Sequence, residues 1–143
     1  MRVLLFIAIS ALSSVSFAKC NNSEKAIFSC LTTKAKQIEV CDAGKTISYS
    51  FGYPNTKPEI VLNIPRAKVF KEHFMGTGCI SSSIEIPNGN TVYKVYAVET
   101  LRDEECPEAG VEVIVKQKTL ATVKCKNPEN ITNNIADAEL LEK

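Results

Sequence analysis

Residues 26–52 read AIFSCLTTKAKQIEVCDAGKTISYSFG. Three short strands can be read in this stretch. Ala26 to Leu31 is apolar and stops at Thr32-Thr33-Lys34, a turn-like triplet. Gln37 to Cys41 alternates Ile38 and Val40 with polar neighbours, and Thr46 to Phe51 alternates Ile47, Tyr49 and Phe51 with Thr46, Ser48 and Ser50. Period-two alternation marks a strand with one buried face. Asp42-Ala43-Gly44 supplies a turn between the second and third runs. Pairing the first two runs as a hairpin draws Cys30 towards Cys41, so a disulfide between them is expected.

The N-terminus explains the cysteines. Met1-Arg2 is basic, Val3 to Ala11 is almost wholly apolar, and Ser16-Phe17-Ala18 ends in the small residues a signal peptidase reads. Residues 1–18 therefore read as a signal peptide. The apolar run is shorter than the ~20 residues a membrane-spanning helix needs, and no later stretch is long enough. Lys19 stands before Cys20 in place of the small residue that lipidation of that cysteine requires. All six cysteines follow the signal, which implies up to three disulfides in an oxidising compartment, periplasmic or extracellular. Besides Cys30–Cys41, the expected pairs are Cys106–Cys125 and Cys20–Cys79. No two cysteines stand at CxxC spacing and there is a single histidine, so neither metal nor cofactor is expected. Without Arg2 the chain carries 16 basic and 16 acidic residues. That balance does not suit nucleic acid or an anionic membrane.

Beyond Gly52, a proline-rich break leads to a short strand, Glu59 to Leu62. Residues 63–76 read in two ways. Ala67, Val69, Phe70 and Phe74 could form one face of a helical turn after Pro65, or an irregular arm could cross the sheet. Met75-Gly76-Thr77-Gly78 turns the chain into a strand from Cys79 to Ile86. Asn88-Gly89 signals a hairpin with a return strand from Thr91 to Thr100. An acidic loop, Leu101 to Ala109, precedes a final hairpin of Gly110–Lys116 and Thr119–Lys124 over Gln117-Lys118, its first strand buried on both faces. The polar tail, residues 127–143, reads as a helix from about Ile131 to Leu141 or as a frayed end. Residues 19–126 then form one mainly β domain, an antiparallel β-sandwich or open barrel of seven or eight strands with a short C-terminal helix, stapled by disulfides. Its expected core holds Phe28, Ile38, Val40, Tyr49, Phe51, Tyr93, Val95, Val113 and Val115.

No catalytic set is recognisable. His73 has no serine or acid at a family spacing, and the cysteines are better used as disulfides than as nucleophiles. Two features suggest a binding surface. One is the acid-rich loop with Asp103, Glu104 and Glu105, stiffened by Cys106 and Pro107, which suits a cationic partner. The other offers hydrogen bonds from Ser81, Ser82 and Ser83 and from the Asn88-Gly89 turn.

The pattern IFSC…K.I.VC…ISYSFG…EIVL, followed by IPNGNTVYKVYAVET and GVEVIV…LATVKC, resembles a group of small uncharacterised exported β proteins of Gram-negative bacteria. The general design also looks like that of the periplasmic lysozyme inhibitors. One such family inserts a Ser-Gly-x-x-Tyr loop into the lysozyme cleft; here Asn88 replaces the serine and Tyr93 comes one residue late. The resemblance implies a periplasmic or secreted binding protein without enzymatic activity. It would be an inhibitor or immunity protein against a cationic wall hydrolase, acting by occlusion. The alternative is a structural or envelope-interaction protein that accepts a partner strand on a sheet edge.

Overall fold

The computed structural model describes residues 20–102 and 105–143. The expected signal peptide, together with Lys19, and the pair Asp103-Glu104 lie outside the described residues. Eleven strands form two sheets among the described residues. The first sheet contains β1 (Lys25–Leu31), β2 (Gln37–Asp42), β3 (Thr46–Gly52), β4 (Ile60–Pro65) and the two-residue β10 (Thr132–Asn133), in the order β10-β1-β2-β3-β4. The second contains β5 (Phe70–Met75), β6 (Cys79–Asn88), β7 (Thr91–Thr100), β8 (Glu108–Val115), β9 (Lys118–Lys124) and β11 (Leu141–Glu142). Its order is β11-β5-β6-β7-β8-β9, antiparallel except for the short parallel β11–β5 contact. The mainly β architecture is as expected, as an open sandwich with more strands than anticipated.

The inner faces follow from the alternation. Phe28, Cys30, Ile38, Val40, Ile47 and Tyr49 from the first sheet meet Ile84, Ile86, Val95, Ala97, Ala109 and Val111 from the second in one buried cluster. Tyr49 and Tyr93 stack across the two sheets with ring centroids 5.1 Å apart. Of the expected core, Phe28, Ile38, Val40, Tyr49 and Val95 are buried, while Phe51, Tyr93, Val113 and Val115 are half-buried. The expectation that β8 is buried on both faces holds only for Ala109, Gly110 and Val111. At Gly110 a Cβ would lie 2.2 Å from the Val123 carbonyl oxygen, so only glycine fits there. In residues 63–76 the helical turn expected after Pro65 is present but short, and Phe70 and Phe74 belong to strand β5 and not to a helical face. A single 3-10 turn, Arg66–Lys68, separates β4 from β5. The β6–β7 hairpin closes over Gly89-Asn90, and the β8–β9 hairpin over Lys116-Gln117, one residue earlier than expected. Both Lys116 and Gln117 have positive φ, as a two-residue turn between twisted strands favours.

All three expected disulfide pairings are wrong. The bonds are Cys20–Cys41, Cys30–Cys125 and Cys79–Cys106. The reason is side-chain parity. Cys30 pairs with Ile38 and shares its inward face, whereas Cys41 follows the inward Val40 and points to the other side of the sheet. Two residues on opposite faces cannot be bridged, however near they are along the ladder. Cys30 instead reaches Cys125, which follows β9, and so ties the two sheets together. Cys41 takes Cys20 on the outer face.

The expected C-terminal helix is absent; residues 130–143 cross both sheets as a strap, two short strands joined through a turn at residues 135–137. Asn134 fixes its start, its backbone N–H donating to Ile27 O at 2.8 Å and its Nδ2 to Ala26 O at 2.9 Å. Ile135 enters the core. Lys71 Nζ donates to the carbonyls of Ala136 (2.7 Å) and Ala138 (2.8 Å), and Arg66 Nη1 donates to Glu139 O. A helix would have satisfied those carbonyls internally; here two cations from the body take them. Lys143 closes the strap on Glu85 at 2.9 Å.

Two measurements check this account. Non-reducing peptide mapping should return the three pairs above and none of the adjacent-hairpin kind. Ile135→Ala should cost about 2–4 kcal/mol, the loss of a buried aliphatic side chain; a change below about 0.5 kcal/mol would mean the strap is a loose tail.

Candidate functional site

The residues proposed from sequence do not form one surface. Cys79 pairs with Thr100 at one end of the β6–β7 ladder and Asn88 with Thr91 at the other. Nine strand steps separate these ends, about 30 Å. The Asn88-Gly89 turn therefore cannot share a contact with the acidic loop. The serines divide by parity as well. Ser81 and Ser83 face outward beside Glu72, Lys94 and Tyr96. Ser82 points inward, 3 % exposed, with its Oγ 3.1 Å from His73 Nδ1. Of the acidic cluster, Glu105 is described and exposed; Asp103 and Glu104 lie outside the described residues.

What the fold does bring together is the tip of the β5–β6 hairpin and the start and end of the β7–β8 loop. Gly76 N–H donates to Cys79 O at 2.8 Å and closes the Gly76-Thr77-Gly78 turn. Leu101 N–H donates to Gly78 O at 2.8 Å, Cys106 N–H to Thr100 Oγ1 at 3.3 Å, and the Cys79–Cys106 disulfide fastens the loop to the turn. On this fixed base Phe74 and Met75 stand 68 % and 65 % exposed, and Leu101, whose N–H is bound to the same turn, is 42 % exposed. The exposed Glu99 and Glu105 belong to the same end. Sequence gave Phe74 to an uncertain segment, because an apolar residue next to a turn reads equally as core or apex.

A second site was not foreseen. On the outer face of the first sheet lies a cleft of about 830 Å³, between the N-terminal segment and residues 130–132. Glu39 of β2 lines it and is only 7 % exposed. Gln37 Nε2 donates to Glu39 Oε2 at 3.4 Å and to Ser29 Oγ at 3.3 Å. Burial, reinforced by the neighbouring charge of Glu24 and opposed by a backbone hydrogen bond from Cys20, raises the Glu39 carboxyl to about 7. Glu24 is oriented by Asn21, whose backbone N–H donates to its Oε2 at 3.0 Å. The Glu24 carboxylate and the sulfurs of Cys20 and Cys41 lie within 4.8 Å of one another, but both sulfurs are consumed in the disulfide and are not thiolate ligands. In sequence Glu39 sits between Ile38 and Val40 and reads as a solvent-facing strand residue. Its burial arises because Cys20–Cys41 pins the N-terminal segment beside it, which local pattern does not reveal.

Among the described residues no helix is long and apolar enough to cross a membrane. Comparison with protein-family models, curated proteins and solved structures finds no match to this chain.

The raised Glu39 carboxyl has a consequence for stability. The folded state holds this proton more tightly than the unfolded chain, so folding is favoured most at low pH. The advantage is lost as pH rises from the ordinary glutamate range to about 7, amounting to roughly 2–3 kcal/mol. Glu39→Gln should therefore raise the melting temperature at pH 8 and flatten the decline between pH 5 and 7. Denaturant titrations across that range check it; an unchanged slope in the variant would assign the decline elsewhere.

Proposed function

We propose that this protein is an exported binding protein that inhibits a cationic cell-wall hydrolase by inserting the β5–β6 tip into its cleft. The observation that carries the reading is the pair of exposed side chains, Phe74 and Met75, on a tip fixed by the Cys79–Cys106 disulfide. Isolated large apolar residues on a rigid apex are suited to act as interface anchors. The disulfide lowers the ordering cost of docking, because the tip keeps its shape when free. Acidic residues at the same end, Glu99 and Glu105, would attract a basic enzyme and speed its encounter. Three disulfides fit the oxidising compartment in which such an enzyme works.

A second reading, an envelope-interaction protein, is favoured by β9. This seven-residue edge strand pairs with β8 as its one strand neighbour among the described residues; its end is also held by Thr33 N–H donating to Lys124 O at 3.1 Å, and Leu120 at its bulge is 67 % exposed. Lys118 and Lys124 stand at its two ends, charges that discourage indiscriminate edge pairing.

The test is a lysis assay in which the protein is titrated into a panel of lysozymes and bacterial amidases. Stoichiometric inhibition of at least one enzyme is expected. Phe74→Ser should weaken it at least tenfold, as loss of an anchor does, with the melting temperature unchanged. Leu120→Lys should leave inhibition intact. Absence of inhibition across the panel, or full inhibition by the Phe74→Ser variant, would remove the reading. Loss of envelope binding in the Leu120→Lys variant alone would favour the strand edge.

A further inference from the structure

The cleft over β1 and β2 has a composition that selects its ligand. Among the described residues its two charged lining residues are Glu24 and Glu39, and no lysine, arginine or histidine lines it. Ala26, Leu31 and Ile131 give it apolar walls, and Ser29 and Gln37 stand beside the buried carboxyl. Its volume suits a small organic ligand.

We propose that this cleft binds a primary amine with a short alkyl stem, its ammonium group held by the carboxylates of Glu39 and Glu24. A carboxylate 7 % exposed is costly to keep unless an opposite charge compensates it. Among the described residues, the elements packed against Glu39 do not supply one. β1 contributes Ser29, the neighbouring β3 strand contributes Ser50 as its register partner, and the N-terminal segment contributes Glu24 and a disulfide. The segment above contributes Asn130 and Thr132. Among the described residues Glu24 is thus the other titrating group facing this carboxyl, and it adds negative charge. An incoming ammonium would supply the missing counter-charge, while its alkyl stem would cover Leu31 and Ile131. An anion would meet two carboxylates, and a neutral polyol would leave the charge uncompensated. Amine binding should therefore strengthen as Glu39 ionises, through about pH 7.

The proposal is independent of the tip described above and is tested with simple probes. Amide chemical shifts are followed while n-butylamine or 1,4-diaminobutane is added at pH 8 and at pH 5.5. 1,4-Butanediol and calcium chloride serve as controls. Saturable shifts are expected at residues 24–31, 37–39 and 130–132 with the amines at pH 8. They should be at least tenfold weaker at pH 5.5 and in Glu39→Gln, and absent with the diol. Glu39→Gln removes a buried charge and should fold at least as well as the parent, so weak binding there is not unfolding. Glu24→Gln, nearer the surface, should weaken binding by a smaller factor, and Phe74→Ser should leave it unchanged. No saturable shift at pH 8, equal affinity in Glu39→Gln, equal binding of the diol, or binding of calcium without amine would each overturn the assignment.

Discussion

The Cys30–Cys125 disulfide is the constraint on which the sandwich depends. It joins β1 of the first sheet to the end of β9 in the second, closing a loop of 95 residues in sequence. In the chain-entropy view a loop of that length contributes roughly 4–5 kcal/mol, more than either shorter bond. Both sulfurs belong to buried residues of the shared core, so the bond also fixes how Phe28 and Ile38 meet Val111. With the sheets held in register, the remaining bonds shape the surface. Cys79–Cys106 stiffens one end of the second sheet, and Cys20–Cys41 walls the cleft on the first.

These two surface bonds serve different physics. At the tip, the disulfide holds exposed apolar side chains in place; the stabilising contacts lie behind Phe74 and the side chain itself is left to solvent. In the cleft, the disulfide does the reverse and brings a chain segment over a carboxyl that would otherwise be hydrated. Stability is lowered at Glu39 as its proton is lost, and the large core and the intersheet bond make that loss tolerable. A site that weakens its own fold is a reasonable place to look for chemistry with a ligand.

The strands were legible because each alternates: Ile38 and Val40, Ile47 and Tyr49, and Ile84 and Ile86 announced both element and face. The same alternation held the information that excludes a Cys30–Cys41 bond, since Cys41 directly follows the inward Val40. Proximity along a hairpin was weighed there above parity. The strap was not legible. Ile131, Ile135, Ala138 and Leu140 lie at spacings a helix could use, and what holds the strap instead is Lys71 and Arg66, some seventy residues away. The tip was half legible: Gly76-Thr77-Gly78 marked the turn, but whether Phe74 faces core or solvent depends on how far the opposite sheet extends. Glu39 was not legible at all, because the segment beside it is held there by a bond from Cys20.

The strap also decides what the sheets can do at their margins. β10 covers the free side of β1 and β11 covers that of β5, one in each sheet. Removal of residues 141–143 would uncover the hydrogen-bonding groups of β5, and a cut that also took residues 132–140 would bare β1 as well. Such edges are templates for pairing with other chains. While residues 132–133 and 141–142 occupy these margins, part of each edge is already paired and less available to a neighbouring chain.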